Sequence, residues 1–538
     1  MWKDILYFEI QQGFKKVSVW VYFIIFFALA FLIANILGGA FTGASIVIGN
    51  QGTNVNSPLL IAELQTVFTI FGVLICGAIF GNAGYRDYET NMHPLIFTTP
   101  IKPASYYSGR FLGSFFLTIF IQLGITLGLA IGFLMPYLDQ DAIGIFRLDA
   151  YLHPIFVMVI PNVFLVGAIL FSLAILSRRM LPTYLASVIL LFGYLTSSNL
   201  TSDIETRWIA SLLDPFGGEA ISDLVKYWTP SERDTLLIPL GKWLVFNRVI
   251  WLFVGVFFFL FGMKKFSFSK EYKLFSLKRK KSSQTAEEEV FESSEVQKII
   301  RPTFNRFTTW LQFTTQLKIE IKRAFRDPYF LAIAGTAAGF LLLNQSAIGK
   351  MYGVNTLPVT YEVLSVLSGS FALFMIIIIT FYSGQIIWKE RELKADQIID
   401  SLPVANWIPM VSKLVALIIL PGIMLSVLMI VGIGIQTWKG FYDFEVALYF
   451  KKLFILDWTR YMLLCVLAFS IQIMVNHKYL GHFLMILYFL FGIFAGQLGL
   501  NHTLYYFGSG SGAPYSDMNG YIPYLERLFT YKLYWISF

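Results

Sequence analysis

Long runs without a charged residue are the feature that most restricts what this chain can fold into. Eleven such runs occur, at residues 17–37, 66–84, 111–137, 155–176, 181–198, 249–263, 329–343, 363–387, 414–436, 461–476 and 480–500. A helix needs about 20 apolar residues to cross a bilayer. No soluble core could cover the apolar surface of a 538-residue chain that is 56% hydrophobic and 14% charged. The sequence therefore predicts an all-α polytopic membrane protein in which eleven spans are visible.

Basic residues fall in alternate loops between these runs. Lys16, Arg178 and a dense basic group at residues 264–281 lie in such loops, whereas loop 38–65 contains neither Lys nor Arg. Basic loops favour the cytoplasmic side of a membrane, so we expect a multi-pass protein with a cytoplasmic N-terminus. The formal charge of +8 is then mainly a topology signal, and we expect no nucleic-acid partner.

Two charged loops, at residues 85–110 and 388–413, repeat at a constant offset along the chain. Each follows one apolar run and precedes the next. Each has four charged or polar residues and then a proline eleven positions on: Arg86, Asp87, Tyr88, Glu89 and Pro100 in the first loop, and Lys389, Glu390, Arg391, Glu392 and Pro403 in the second. A short surface helix ended by a proline is a compact projection that a partner can bind. We therefore predict two equivalent contact points on one side of the membrane.

Further landmarks repeat on both sides of these loops. Amphipathic stretches at residues 2–14 and 310–326 carry an apolar residue every fourth position, and Glu9 and Glu320 lie in register within them. Such segments lie flat at a membrane interface. Glu63 and Glu362 also match, at a slightly smaller offset than the loops. They are either ordinary interfacial charges or the lining of an outer exit vestibule.

The repeat predicts two tandem six-helix halves, residues 1–263 and 307–538, joined by a charged cytoplasmic linker at 264–306. The second half shows only five apolar runs. Arg527 and Lys532 precede an aromatic segment at 533–538 that looks like the start of the sixth run. We therefore expect a twelfth span to begin there, and the natural chain to continue for about 15–20 apolar residues.

In these features the chain resembles the membrane subunits of ABC-2-type exporters, which have six spans per half, an interfacial elbow helix and a coupling helix between the second and third spans. The resemblance implies that the ten loop residues contact a separate ATPase, expected as a homodimer of two ABC ATPase subunits. ATP and magnesium would be bound by that partner, and this chain would need no cofactor. The second loop departs from the family motif, because Arg391 and Leu402 stand where the first has Tyr88 and Thr99.

Outer-loop motifs suggest a more specific resemblance. The segments at 213–217, 227–240, 247–251 and 513–521 look like the membrane region of bacterial fusion proteins, in which two permease halves precede an alanyl-aminopeptidase-type zinc peptidase domain. This resemblance covers essentially the whole chain. It implies a peptidase domain beyond residue 538.

Motifs for chemistry are missing from the sequence itself. It contains no Gly-x-x-x-x-Gly-Lys-Ser/Thr, no His-Glu-x-x-His and no catalytic dyad, so we predict neither a catalytic nor a metal site in these residues. The leading prediction is the permease of an ATP-driven exporter. One alternative is a secondary transporter with six plus six spans, although the mid-membrane carboxylates that usually serve ion coupling are missing. The other is the membrane anchor of a zinc aminopeptidase. The sequence does not indicate the transported substrate.

Overall fold

The computed structural model describes residues 2–40, 53–200, 207–268, 305–343, 345, 348, 350–351, 354–475, 478–495, 500, 502–510 and 512–537. The chain divides into two compact units. Unit one is Met1–Tyr272 with Phe491–Tyr505, and unit two is Lys273–Leu490 with Tyr506–Phe538. Most of the predicted linker, residues 269–304, lies outside the described residues. Its two described ends belong to the segments that precede and follow it.

Helices make up most of the described chain. Before the linker they are α1 Trp2–Lys15, α2 Val17–Leu37, α3 Pro58–Glu89, α4 His93–Phe97, α5 Pro103–Phe133, α6 Leu148–Pro154, α7 Ile160–Ser177, α8 Leu181–Leu200, α9 Arg207–Leu213, α10 Gly218–Leu224, α11 Pro230–Thr235 and α12 Lys242–Lys265. A π-helical turn, Ile155–Val159, joins α6 to α7.

After the linker the helices are α13 Arg306–Phe325, α14 Pro328–Leu343, α15 Thr360–Glu392, α16 Asp396–Asp400, α17 Trp407–Trp438, α18 Val446–Phe450, α19 Trp458–Val475, α20 Lys478–Phe494 and α21 Ile522–Ser537. A π-helical segment, Lys451–Asp457, joins α18 to α19, and Thr503–Tyr505 is a 3₁₀ turn. Two short strands, β1 Lys350–Met351 and β2 Val354–Asn355, pair antiparallel.

Seven helices in the described residues are long and apolar enough to cross a membrane. They are α2, α5, α12, α15, α17 and the two continuous helices Leu148–Ser177 and Val446–Val475 that contain the π turns. The helix α3 would be an eighth, with a bend of 42° between Val73 and Ile75. The chain is therefore a multi-pass membrane protein. The other three predicted runs fall on shorter apolar helices within α8, α14 and α20, so the count of eleven spans stays a prediction.

The order of helices recurs along the chain. The short helices α4 and α16 have the same length, and both of their ends are displaced by the offset that relates the two charged loops. The helices α7 and α19 also have equal lengths. Each of the two long helices that contain α7 and α19 begins with a short α-helix and a π turn. This recurrence supports the predicted duplication, whereas the division into six-helix halves stays a prediction.

The two predicted elbow segments are helices, and each packs on a long helix of its own unit. The helix α1 packs on α5, and α13 packs on α17. A Cβ atom at Gly109 of α5 would lie 2.8 Å from Ile5 Cβ, so glycine permits the close approach of α1, as small residues do between membrane helices. The helix α13 starts earlier than predicted because Asn305 caps it: the Asn305 side chain accepts the Thr308 N–H at 2.8 Å.

Candidate functional site

The two short helices predicted as contact points are present as projections between long helices. The helix α4 lies between α3 and α5, and α16 lies between α15 and α17. Each follows a residue in the left-handed region, Asn91 with φ 55° and Lys394 with φ 53°. Non-glycine residues with positive φ are uncommon, and these two occupy equivalent positions in the repeat. The chain therefore reverses direction by the same turn in both loops.

Large apolar side chains are exposed at both projections. Leu95 of α4 is 66% exposed and Ile398 of α16 is 69% exposed. Exposed apolar residues flank them, namely Met92 in the first loop and Leu393 and Leu402 in the second. The predicted contact residues Glu89, Pro100, Arg391, Glu392 and Pro403 are also exposed. An apolar patch with a polar rim is the usual character of a protein-binding surface.

Behind α4 lies a buried group of charges that we name cluster one: Glu9, Arg86, Asp87 and Arg110. The Arg110 guanidinium forms ion pairs with both carboxylates, at 2.7 Å from Glu9 Oε2 and in short contact with Asp87 Oδ2. Arg86 pairs with Glu9 at 3.1 Å. The Tyr106 hydroxyl donates a hydrogen bond to Asp87 Oδ2 at 2.6 Å. The cluster thus connects the elbow helix α1, the end of α3 and the start of α5.

Cluster one places two predicted contact residues inside unit one. The family resemblance implies that Arg86 and Asp87 contact a partner, but Asp87 is only 5% exposed and both side chains bind neighbouring helices. Burial raises the pKa of Glu9, and the positive charges of Arg86 and Lys16 oppose that shift. Removing one member of a buried ion pair leaves an uncompensated charge, which is strongly destabilising. Arg86 and Asp87 therefore fix the base of the projection.

Behind α16 lies an equivalent group of charges, cluster two: Glu320, Lys389, Glu390 and Lys413. The Lys413 ammonium lies 2.5 Å from Glu390 Oε2. Glu320 is 2% exposed and pairs with Arg323 at 3.2 Å. Burial raises the pKa of Glu320, while Arg323, Lys413 and Lys389 act in the opposite direction. The elbow helix α13 thus contributes a buried acid to the end of α15 and the start of α17.

A further contact supports each projection. It comes from the segment just before the fifth apolar run of each half. In unit one, the Arg178 guanidinium lies 4.8 Å from the centre of the Tyr88 ring, a cation–π contact. In unit two, the Lys478 ammonium lies 2.6 Å from Glu392 Oε1 and 3.3 Å from Gln385 Oε1. By the offset that relates Glu63 to Glu362, Arg178 corresponds to His477, which lies outside the described residues. In each unit a basic residue of this segment therefore contacts the last turns of the long helix that precedes the projection.

A second arrangement that occurs in both units lies in α12 and α21. It consists of a Trp and the basic residue three positions before it. The Trp251 indole N–H donates to the Leu212 carbonyl at 3.0 Å, and the Trp535 indole N–H donates to the Ser509 carbonyl at 2.9 Å. The sequence already indicates this likeness, because Arg527, Lys532 and the aromatic segment at 533–538 resemble the start of the sixth run; the hydrogen bonds that the two indoles donate are not evident from it.

The basic residue of each pair binds the helix that follows a π turn. Arg248 donates to Asn162 Oδ1 of α7 at 2.6 Å. Lys532 donates to the Leu456 carbonyl at 3.0 Å and to the Thr459 hydroxyl in short contact. A π turn disturbs the regular backbone pairing of a helix, and Lys532 binds a carbonyl within that turn. The helix α21 therefore has local contacts in unit two like those of α12 in unit one.

The two predicted vestibule acids lie near the starts of their helices. Glu63 of α3 is partly buried and is within range of the positive charge of Arg233. Glu362 of α15 is also partly buried. They belong to different units, so a shared vestibule stays a prediction.

The arrangement of possible metal ligands and the comparisons with known proteins assign no function to the chain. Within the part of the chain that the structure describes, no three His, Cys, Asp or Glu side chains are grouped to hold a metal ion. No protein-family model matches the chain, and no curated protein matches it. The features that bear on function are therefore the two projections and the charges of cluster one and cluster two.

Proposed function

We propose that this chain is the permease component of an ATP-driven exporter of the ABC-2 type, located in the bacterial inner membrane with a cytoplasmic N-terminus. Two separate ATPase subunits would bind the projections α4 and α16. ATP and magnesium would be held by those subunits, and the chain itself would supply the path across the bilayer.

The proposal rests mainly on one observation: both projections have an exposed apolar tip and a base held by an ion pair to the next long helix. A tip that binds a partner must transmit displacement to the spans, and a loosely attached loop would absorb it. The Arg110–Asp87 and Lys413–Glu390 pairs join each base to the next long helix. Movement of the tip would therefore also displace α5 or α17.

The charge clusters extend this coupling to the elbow helices. Glu9 of α1 shares Arg110 with Asp87, so α1, α3 and α5 meet at one side chain. In unit two, Glu320 of α13 lies within electrostatic range of Lys413 and Lys389. A force on either projection would reach an interfacial helix as well as two spans. A secondary transporter driven by an ion gradient has no need for two such projections.

The direct test is binding of an ATPase to the tips. The full chain would be co-expressed with each ABC ATPase subunit of the same genome that lacks its own membrane domain, and ATP hydrolysis would be measured on the purified complex. Leu95→Asp and Ile398→Asp each place a charge in a contact surface, so we expect affinity to fall by at least about tenfold. Ile145→Asp and Met518→Asp are matched controls, because both residues are more than nine-tenths exposed in other loops.

Each outcome bears on the proposal. Loss of binding in the tip variants, with both controls unchanged, would support it. Equal binding by all four variants would contradict it, as would the failure of every ATPase to bind. Export by the chain alone that a protonophore abolishes would favour the secondary transporter, and absence of any transport would favour the membrane anchor.

A further inference from the structure

The two elbow helices differ sharply in the charge that they expose. On α13, Lys318, Lys322 and Arg326, the last of these at its C-cap, are all exposed. Residues four apart on a helix lie about 40° apart around its axis, so these three form one basic strip. The only acid of α13, Glu320, is buried and lies on the opposite face. The helix α13 therefore exposes positive charge and no negative charge of its own.

Exposed aromatic and aliphatic side chains lie on the same side of α13 as this basic strip. Phe307, Trp310 and Leu311 are in its first two turns, and Phe325 is its last residue. Only Arg326 and Asp327 separate α13 from the apolar helix α14, so the basic strip lies beside a segment predicted to enter the bilayer. Apolar residues next to a row of Lys and Arg suit the boundary between acyl chains and anionic headgroups.

The first elbow helix has no such strip. On α1 the exposed charges are Lys3, Asp4 and Lys15, so one acid offsets one of two bases, and the bases lie at opposite ends of the helix. Its exposed apolar residues, among them Tyr7 and Phe8, fit a membrane interface without a preference for anionic lipid. Because α1 and α13 differ in this way, the basic strip of α13 is not simply a consequence of the net positive charge of the chain.

We propose that the exposed strip of α13 binds the headgroups of anionic phospholipids. Three cationic side chains four residues apart would contact phosphate groups, while Trp310 and Phe325 insert among the acyl chains. This surface is independent of the proposed transport function, because it requires neither an ATPase nor a substrate.

The test uses the full chain in neutral detergent, titrated with phosphatidylglycerol or with phosphatidylcholine of the same acyl chains, and bound lipid is counted by native mass spectrometry. The triple variant Lys318→Gln, Lys322→Gln and Arg326→Gln should bind phosphatidylglycerol at least about tenfold more weakly than the wild type. Its matched control, Lys3→Gln, Lys15→Gln and Lys264→Gln, removes three exposed charges from unit one and should bind it normally. Phosphatidylcholine binding should be weak in all three proteins.

A variant that retains all three positive charges of the strip serves as a second control. Lys318→Arg, Lys322→Arg and Arg326→Lys should bind phosphatidylglycerol like the wild type, and equal thermal unfolding of all variants excludes a folding defect. The proposal fails if the two glutamine variants lose phosphatidylglycerol equally, because the effect is then one of net charge. It also fails if phosphatidylcholine binds as well as phosphatidylglycerol, or if inorganic phosphate displaces the lipid as a better ligand.

Discussion

Arg110 forms a buried ion pair with Asp87, an acid that precedes it in the chain. Lys413 forms a partly buried ion pair with Glu390, and the sequence separation between acid and base is identical in the two pairs. In both cases the acid lies in the last turns of one long helix and the base in the first turns of the next. A loop at a membrane surface has no need for such a pair, whereas a projection that must move together with a span does. This repeated pair is the structural basis of the proposed coupling.

Arg110→Met should destabilise the protein strongly, because it leaves the Glu9 and Asp87 carboxylates buried with too few cationic partners. We expect a loss of about 3–5 kcal/mol in the free energy of unfolding. The measurement is unfolding by a denaturing detergent, followed by circular dichroism. Arg147→Met is the control, since its pair with Asp149 and its hydrogen bond to the Thr235 carbonyl are both solvent-exposed, and it should change the midpoint little. Equal midpoints for both variants would mean that cluster one does not hold the projection.

Glu320 should give the protein a specific dependence of stability on pH. Burial raises the pKa of Glu320, so the folded chain keeps this proton at pH values where the unfolded chain has lost it. The contribution of Glu320 to stability therefore falls as pH rises from about 4.5 through the raised folded pKa. Glu320→Gln cannot lose a proton, so its thermal midpoint should rise relative to the wild type as the pH increases above about 4.5. Parallel curves would exclude this role for Glu320.

Trp251 and Trp535 should contribute similar hydrogen-bond energies to their units. Replacing either with Phe keeps an aromatic ring and leaves the Leu212 or Ser509 carbonyl without its donor. Each variant should lose about 1 kcal/mol in the free energy of unfolding. Trp438→Phe is the control, because Trp438 is 82% exposed, and it should unfold like the wild type. A clear loss for only one of the two hydrogen-bonded indoles would argue against equivalent roles for α12 and α21.

Gly217 and Gly440 both have positive φ, at 80° and 76°, but their surroundings differ. A Cβ atom at Gly217 would collide with the Arg248 guanidinium, whereas nothing lies within 4 Å of one at Gly440. Gly440→Ala should therefore lose only about 1–2 kcal/mol, from backbone strain. Gly217→Ala should lose more, because Arg248 must also leave Asn162. Thermal unfolding of both variants gives the comparison, and equal losses would show that Arg248 moves without penalty.

Hydrophobic runs predict the helices well, because a segment of apolar residues in lipid must pair its own backbone groups. Each of the eleven runs falls largely on helix in the described residues. The short helices α4 and α16 were predictable from the proline that limits each loop. The π turns were not predictable, since one extra residue in a helical turn leaves no mark on hydropathy.

Cluster one shows why side-chain direction is harder to predict. Each residue along a helix turns by about 100°, so neighbours such as Tyr88 and Glu89 face different surroundings from Asp87. A charged residue at the end of a span is expected to face water. The sequence shows the equal spacing of Arg110 and Lys413 but not that the chain folds back to bring each against an acid.

We propose that both projections lie in the cytoplasm, where an ATPase can reach them. Single cysteines at Thr90 and Lys394 test it most directly, because the native Cys76 and Cys465 are buried and should not react. In sealed cells, a membrane-impermeant maleimide should label neither position, and both should react after the membrane is permeabilised. Labelling of either cysteine in sealed cells would place that projection outside the cell and contradict the proposed function.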